Sequence, residues 1–277
     1  MEVSSGNKPK PIENEDQTFS GANETITSIG TDFNESIDLK DIKINLKKSD
    51  SEINEKIENG NNFIIAELNI KKEDINKDIG IINSYEECLR KVYPNEKLKE
   101  EFKNEEEIKQ CEIKINEKLI PFNYFHKFAK EGKYIIKYSF KNNLTKTNFM
   151  FYGCDKLTNL NLSNFITKNV INMNCMFYKC SSITNIDLSK FNTENVINMN
   201  HMFCKCSSLT YLNLSNFNTQ KVKYMMSMFF GCSSLAKIDL SKFNTQNVSN
   251  MIWIFSGCSS LLKDNVLTKD NKILEEF

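Results

Sequence analysis

Cysteine and histidine side chains occur in this chain at spacings where zinc or thiol chemistry is possible. Cys175 and His201 stand at the same position of a repeated motif, one copy apart, and Cys204 follows three residues later. Thiolate and imidazole groups are zinc ligands, but the sequence offers neither a Cys-x-x-Cys pair nor a fourth ligand. Cys204 and Cys206 leave a redox pair open as an alternative, which requires a lowered thiol pKa. We expect no metal site and no cofactor.

Two aspartates and a histidine are the other candidates for catalysis. Asp187 and Asp239 stand two copies of the motif apart, so stacked strands would place their backbones ~9–10 Å from each other. That separation is near the one that inverting glycosidases use between their carboxyl groups. The residues around them form no pocket, and His126 has no Ser, Cys or Asp partner at a recognisable spacing. The sequence therefore predicts no enzyme activity and no catalytic residue.

All of these residues except His126 belong to a repeat that fills the C-terminal part of the chain. Near-copies of one sequence motif begin at Leu157, Ile183, Leu209 and Leu235. A column of cysteines marks the constant interval of 26 residues: Cys154, Cys180, Cys206, Cys232 and Cys258. A fixed period in this range is typical of a solenoid, in which each unit buries its apolar face against its neighbours. Five thiols in a column cannot all pair, so we expect them to be buried and structural.

Each unit contains two apolar patterns with different periods. Its opening Leu-x-x-Leu-x-Leu, as in residues 183–188, ends in strict alternation and predicts a short strand in a parallel sheet. The following Val-x-x-Met-x-x-Met-Phe, as in residues 196–203, has steps of three and four and predicts a short helix behind the strand. The fold class predicted is therefore an α/β leucine-rich-repeat solenoid, with a parallel strand and a short helix in each rung.

The motif resembles a known repeat family. Residues 186–209 read IDLSKFNTENVINMNHMFCKCSSL, which is similar to the BspA-type leucine-rich repeats of 26-residue-repeat surface proteins. The resemblance covers roughly residues 144–263. It implies a right-handed solenoid with a role in adhesion or protein binding, no catalytic activity, and commonly a place at the cell surface.

The remaining chain suggests three further segments. Residues 1–60 have few large hydrophobic side chains and are expected to be disordered. Residues 61–142 are expected to form a small, mostly-β domain that caps the solenoid at 143–263, with strands over 63–70, 111–115 and 133–140 and a helix after Tyr85 that Pro94 interrupts. Residues 134–140 are a candidate for the first strand of the stack. Asp264 breaks the repeat, and 264–277 is expected to be a C-terminal cap containing a short helix.

Charge and hydropathy limit the partners. Lys and Arg number 36, as do Asp and Glu, and no basic stripe suited to nucleic acid is present. The first residues show no apolar signal segment, and no run approaches the ~20 apolar residues of a membrane span. From this we expect a monomeric cytoplasmic protein without membrane insertion, whereas the family resemblance implies a secreted or surface protein.

The predicted binding surface is the outer face of the strands. Recognition requires chemical variety along that face, so we expect Tyr211 and Lys237 to contact a protein partner, with Asp187 and Asp239 supplying charge. We expect a non-enzymatic, protein-binding solenoid, either an interaction scaffold or an adhesin-like protein.

Other interpretations stay open. The solenoid is alternatively a rigid spacer with no specific ligand. A ladder of Thr167, Thr193, Thr219 and Thr245 suggests a face that orders water or ice. Trp253 with Tyr224 is a second possible binding patch, and the aromatic residues of 122–128 are either a ligand platform or core.

Overall fold

The computed structural model describes residues 62–277. Its first element is strand β1, Phe63–Ile70. The side chains of Ile64, Ala66, Leu68 and Ile70 are buried while the residues between them are more exposed, as period two requires. The predicted strand at 63–70 is confirmed. The segment 1–60, predicted to be disordered, lies outside the described residues.

Antiparallel strands make up the first part of the described chain. They are β2 Asp78–Gly80, β3 Glu112–Ile115, β4 Lys118–Ile120, β5 Phe125–Lys127, β6 Gly132–Ser139 and β7 Leu157–Asn161. Five of them form a sheet in the order β4-β3-β6-β1-β7, and β2 pairs with β5. Asn116 and Glu117, both with positive φ, turn β3 tightly into β4. The predicted strands at 111–115 and 133–140 are confirmed with small changes at their ends.

Two short helices lie beside this sheet. Helix α1, Tyr85–Val92, begins at Ser84, whose hydroxyl accepts a hydrogen bond from the Glu87 N–H at 3.1 Å. It ends two residues before Pro94, as the sequence predicts. Helix α2 is Glu105–Ile108, and 3₁₀ turns occur at Lys72–Asp74 and Glu100–Phe102.

The predicted solenoid of parallel strand plus short helix is wrong. Residues 143–262 of the described chain contain no α-helix, and their strands are β7, β8 Tyr211–Asn213 and β9 Lys237–Asp239. Strand β7 pairs antiparallel with β1 across 65–68, so the structure joins the repeat to an antiparallel sheet. The segment 134–140 is not the first strand of the stack, because β1 lies between β6 and β7. The fold is mostly β.

Left-handed backbone conformations explain why the Met-Phe pattern is not helical. We call residues 147–153, 173–179, 199–205, 225–231 and 251–257 the turn segments. Each has two residues with positive φ, for example Cys175 at 54° and Lys179 at 58°. A right-handed helix excludes such residues. The apolar residues of the pattern recur at steps of three and four because successive turns direct the Val, Met and Phe side chains inward.

Neighbouring units contact each other directly through main-chain hydrogen bonds and aromatic rings. Phe177 N–H donates to the Met202 carbonyl at 2.9 Å, and Phe203 N–H donates to Met228 at 2.9 Å. The rings of Phe177 and Phe203 stack with centroids 5.5 Å apart. The period of 26 residues therefore predicts correctly which residues lie side by side, although it mispredicts the secondary structure.

The cysteine column is buried inside this repeat as free thiols, as predicted. Each of the last four members donates from Sγ to the carbonyl of a phenylalanine 29 residues earlier, as Cys206 does to Phe177 at 3.1 Å and Cys232 to Phe203 at 3.0 Å. These contacts make cysteine a donor as well as a small apolar filler.

The last unit is followed by a partial cap. Strand β10, Val266–Leu267, pairs parallel with β9, and helix α3, Asn271–Leu274, begins at Asp270. The carboxylate of Asp270 accepts hydrogen bonds from both the N–H and the hydroxyl of Thr245 at 2.8 Å. The predicted short C-terminal helix is confirmed. Within residues 62–277, none of the helices is a candidate for a membrane-spanning segment.

Candidate functional site

Strands β8 and β9 lie parallel and in register in a three-stranded sheet of order β10-β9-β8. Tyr211 is opposite Lys237, and Asn213 is opposite Asp239. Leu212 between them is fully buried, so alternation places Tyr211 and Asn213 on the outer face. The Tyr211 side chain is 41% exposed. The structure thus brings together three of the four predicted site residues.

The aspartate position has a structural role in every unit. Oδ1 of Asp187 accepts the Ser189 N–H at 2.9 Å, and Oδ1 of Asp239 accepts the Ser241 N–H at 2.9 Å. Asn161 and Asn213 make the same contact in their units. Such a bond closes the turn after the strand, which Asn and Asp do equally well.

Asp187 differs from the other predicted residues in its surroundings. It is exposed, and its segment forms no strand in the described structure, although the Thr210 N–H donates to the Thr184 carbonyl at 3.2 Å. The hydrogen bonds from Ser189, first the backbone N–H and then the side chain, lower the pKa of the Asp187 carboxyl. Asp187 therefore carries an exposed negative charge.

An open depression of about 450 Å³ lies where the chain leaves β8 and β9. It is lined by Ser215, Asn216, Phe217, Asn218, Gln220, Lys242 and Asn244. Its amides are partly engaged, since Asn216 Nδ2 donates to the Ser189 carbonyl at 3.0 Å. None of these lining residues was among the predicted site residues; the Phe-Asn-Thr triplets that follow β8 and β9, at 217–219 and 243–245, are the sequence signal for this depression.

The threonine ladder is not available to solvent. Thr167, Thr193, Thr219 and Thr245 are each at most 2% exposed. Thr193 Oγ1 accepts the Asn218 N–H at 2.8 Å and donates to the Asn218 carbonyl at 3.0 Å. The hydroxyl groups therefore join successive units, and the ice-ordering interpretation is wrong.

The Cys175, His201 and Cys204 side chains are buried without forming a metal-binding cluster. In residues 62–277 no group of three or more His, Cys, Asp or Glu side chains is arranged to hold a metal ion. Burial raises the pKa of the Cys204 thiol to about 12 and lowers the pKa of His201 to about 4. A raised thiol pKa disfavours the thiolate, so the redox interpretation has no support here.

The aromatic cluster of residues 122–128 is largely core. Phe128 is 1% and Tyr124 is 7% exposed, and the Tyr124 hydroxyl donates to Glu105 at 2.8 Å. Lys91 Nζ lies 3.5 Å from the centre of the Phe125 ring. Burial lowers the pKa of His126. The core interpretation accounts for these contacts, and the ligand-platform interpretation is not needed.

The second possible binding patch, Trp253 with Tyr224, stays a prediction, and the two residues differ in exposure. Trp253 is 50% exposed and Ile252 beside it is 43% exposed, whereas Tyr224 is only partly accessible. The side of the repeat that carries Trp253 is made of turns rather than of helices.

Comparison with protein-family models gives one family, described as "Mycoplasma protein of unknown function, DUF285". Its model matches twice, over residues 122–211 and 184–272, so the two matches together span more than half of the 277 residues. Comparisons with curated proteins and with solved structures give no match.

Proposed function

The chain belongs to the DUF285 family, whose function is unknown, and we propose that it is a non-enzymatic repeat protein that binds a protein partner through the outer face of β8 and β9. The resemblance of its motif to BspA-type repeats supports adhesion or protein binding as the general role. The proposed contact residues are Tyr211 and Lys237, flanked by Asp187 and Asp239.

The observation that carries this proposal is the exposure of Tyr211 beside Lys237 on a parallel, in-register pair of strands. The Asn and Asp positions of the face also serve the fold, because the side chains of Asn213 and Asp239 close the turns after their strands. The Tyr211 and Lys237 position varies along the face, where the earlier units have Asn159 and Asn185. A tyrosine held in place presents apolar area and a hydroxyl at low entropic cost.

Charge on the face suggests the character of the partner. The lowered pKa of Asp187 keeps that carboxylate ionised at physiological pH, and Lys237 provides a cation one unit further along from Tyr211. A complementary partner presents an acceptor to Lys237, a cation to Asp187 and an apolar surface to Tyr211. Such pairing governs specificity and association rate more than affinity.

A paired substitution tests the proposal. Tyr211→Ala with Lys237→Ala is compared with Leu119→Ala with Lys118→Ala, an exposed leucine–lysine pair on β4. We expect proteins captured by the wild type from source-cell fractions to be lost with the first pair and kept with the second, at unchanged melting temperature. A capture profile that is identical for all three proteins contradicts the assignment.

The alternative is a rigid spacer with no specific ligand, which predicts that no protein is captured reproducibly. The cytoplasm and the cell surface are both proposed compartments, the first from the sequence and the second from the family resemblance. Protease treatment of intact cells separates them. A protein cleaved only after lysis is inside the cell, whereas loss from intact cells places it at the surface.

A further inference from the structure

The two sides of each turn segment differ in hydrogen-bonding character. Alternate N–H groups point toward the following unit and alternate carbonyls toward the preceding one. The N–H groups of Thr147, Phe149, Phe151 and Gly153 donate to the carbonyls of Asn172, Asn174, Met176 and Tyr178 at 2.8–2.9 Å. The pattern continues through the repeat as far as Gly231, which donates to Ser256 at 2.8 Å. The stack of turn segments therefore has a donor end, at residues 251–257, and an acceptor end, at residues 147–153.

The acceptor end is closed by two asparagines from the N-terminal part of the chain. Asn104 Nδ2 donates to the Asn148 carbonyl at 2.7 Å. Asn83 donates from its main-chain N–H to Met150 at 2.7 Å and from Nδ2 to Tyr152 at 3.1 Å. These three carbonyls occupy the positions that accept from a preceding unit elsewhere in the repeat.

The donor end has no such closure. The last turn segment carries the equivalent N–H groups of Met251, Trp253, Phe255 and Gly257, and none of them donates to an acceptor within residues 62–277. Trp253 at φ 58° and Gly257 at φ 76° keep the conformation of Ser227 and Gly231 one unit earlier. The edge is thus already shaped for a further unit.

The C-terminal cap covers the interior of this last unit, where Met251 and Phe255 are buried, and it leaves Trp253 and Gly257 exposed at the rim. Ile273 is fully buried, and the Phe277 ring contacts Phe255 with centroids 4.7 Å apart. Ile252 and Trp253 nevertheless remain 43% and 50% exposed. Apolar side chains therefore border a row of main-chain donors.

Charge and hydrogen-bonding chemistry decide what fits this edge. Residues 249–262 contain no Asp, Glu, Lys or Arg, whereas earlier turn segments carry Lys179 and Lys205. A single anion cannot engage donors spread over seven residues, and residues 249–262 provide no cation of their own to assist it. The donor end of a second copy offers no acceptors, and its acceptor end is closed by Asn83 and Asn104.

We infer that the donor end, residues 251–257, binds an extended, uncharged segment of another polypeptide that supplies a row of main-chain carbonyls. The carbonyls of the bound segment accept hydrogen bonds from the N–H groups of residues 251–257, so the pattern continues by one unit. This mode of binding is strand addition in which turn segments take the place of strands. Trp253 and Ile252 cover its apolar side chains. This surface is separate from the proposed face of β8 and β9.

The single tryptophan of the chain makes the test specific. The probe is a fluorescein-labelled synthetic peptide with the sequence of residues 224–236, an uncharged copy that contains one turn segment, titrated into the full-length protein. Anisotropy measures binding, and unlabelled peptide is used to follow Trp253 emission. We expect saturable binding with a blue shift of Trp253 emission, because the indole leaves water.

Two variants separate the edge from the rest of the molecule. Ile252→Lys keeps Trp253 and the N–H row, and it is expected to weaken peptide binding about tenfold or more, since docking must desolvate the ammonium group. Tyr211→Ala with Lys237→Ala is expected to leave peptide binding unchanged.

Four results overturn the inference. They are the absence of a Trp253 shift, equal binding of a shuffled peptide, competition by inorganic phosphate, and concentration-dependent self-association of the protein alone. Phosphate competition would assign an anion site to this edge, and self-association would assign a second copy.

Discussion

The side-chain amide of Asn104 donates a hydrogen bond to the main-chain carbonyl of Asn148 in the interior of the protein. Asn104 Nδ2 donates to the Asn148 carbonyl at 2.7 Å, and Asn148 Nδ2 donates to the Phe102 carbonyl at 2.7 Å. Both asparagines are at most 3% exposed. Asn104 Oδ1 also accepts the Tyr85 N–H, so one side chain ties α1 to the first turn segment. The acceptor end of the repeat is closed by this contact.

Replacing Asn104 should destabilise the chain noticeably. Asn104→Ala leaves the Asn148 carbonyl and the Tyr85 N–H buried without partners, which costs about 1–3 kcal/mol for each such group. We expect the denaturation midpoint to fall accordingly in urea. Asn142→Ala removes an exposed amide bond to Gln110 and should change stability by less than about 0.5 kcal/mol. Equal losses of stability for Asn104→Ala and Asn142→Ala would show that closing the acceptor end does not stabilise the chain.

The threonine ladder should contribute to stability through its hydroxyl groups. Thr193→Val keeps the side-chain shape but removes the group that both accepts from and donates to Asn218. We expect a loss of about 1–3 kcal/mol in the free energy of unfolding. Thr184→Val, at an exposed position, is the matched control. A Thr193→Val protein as stable as the wild type would contradict this role.

His201 should make the protein sensitive to mild acid. Its pKa is 6.5 in a solvent-exposed state and about 4 when buried, so the unfolded chain binds the proton first as pH falls. The stability is complete above about pH 6.5 and is lost progressively toward pH 4, by roughly 3 kcal/mol. His201→Cys, which copies Cys175 of the preceding unit, should remove this dependence. Urea denaturation at several pH values measures it.

The control for this pH dependence is His126→Gln. His126 is only half-buried, so its replacement should leave most of the loss between pH 6.5 and 4 in place. If His201→Cys and the wild type lose stability in parallel over that range, carboxyl groups elsewhere are responsible.

Alternation along β8 predicts opposite results for two neighbouring aspartate substitutions. Leu212→Asp places a carboxylate at a fully buried position and should cost more than about 4 kcal/mol, enough to unfold the chain. Asn213→Asp places it on the outer face, where Asp239 already occurs one unit later and closes the same turn. Circular dichroism of both variants should separate them. An unfolded Asn213→Asp protein would contradict the assigned register.

Local patterns in the sequence identify those elements whose contacts repeat or lie close in the chain. The period of 26 residues correctly predicts that Phe177 lies against Phe203 and that the cysteine column is buried. Alternating apolar residues correctly predict β1 and β6, and Pro94 correctly limits α1. These features depend on periodicity and on the backbone constraint of proline, which are visible in any single sequence.

The binding assignment of Asp187, Tyr211, Lys237 and Asp239 stays a prediction. The structure shows that Tyr211 and Lys237 are neighbours, and that the aspartates close turns. Alternation in the sequence was sufficient to place Tyr211, Lys237 and Asp239 together, whereas the segment of Asp187 forms no strand. It did not reveal which of them also serve the fold, because that depends on hydrogen bonds two residues along the chain.

The sequence by itself determined the repeat, its spacing and the apolar columns; the tertiary structure decided the conformation of the turn segments and the closure of the two ends. Cys175 and His201 adopt left-handed backbone conformations although neither is glycine. The sequence therefore contains no residue at these positions that would have signalled a turn instead of a helix. Carbonyl groups of the next unit hold them in place. Likewise, Asn83 and Asn104 close the acceptor end from far along the chain, while residues 251–257 have no equivalent closure within the described chain. Such long-range hydrogen bonds leave no periodic trace in the sequence.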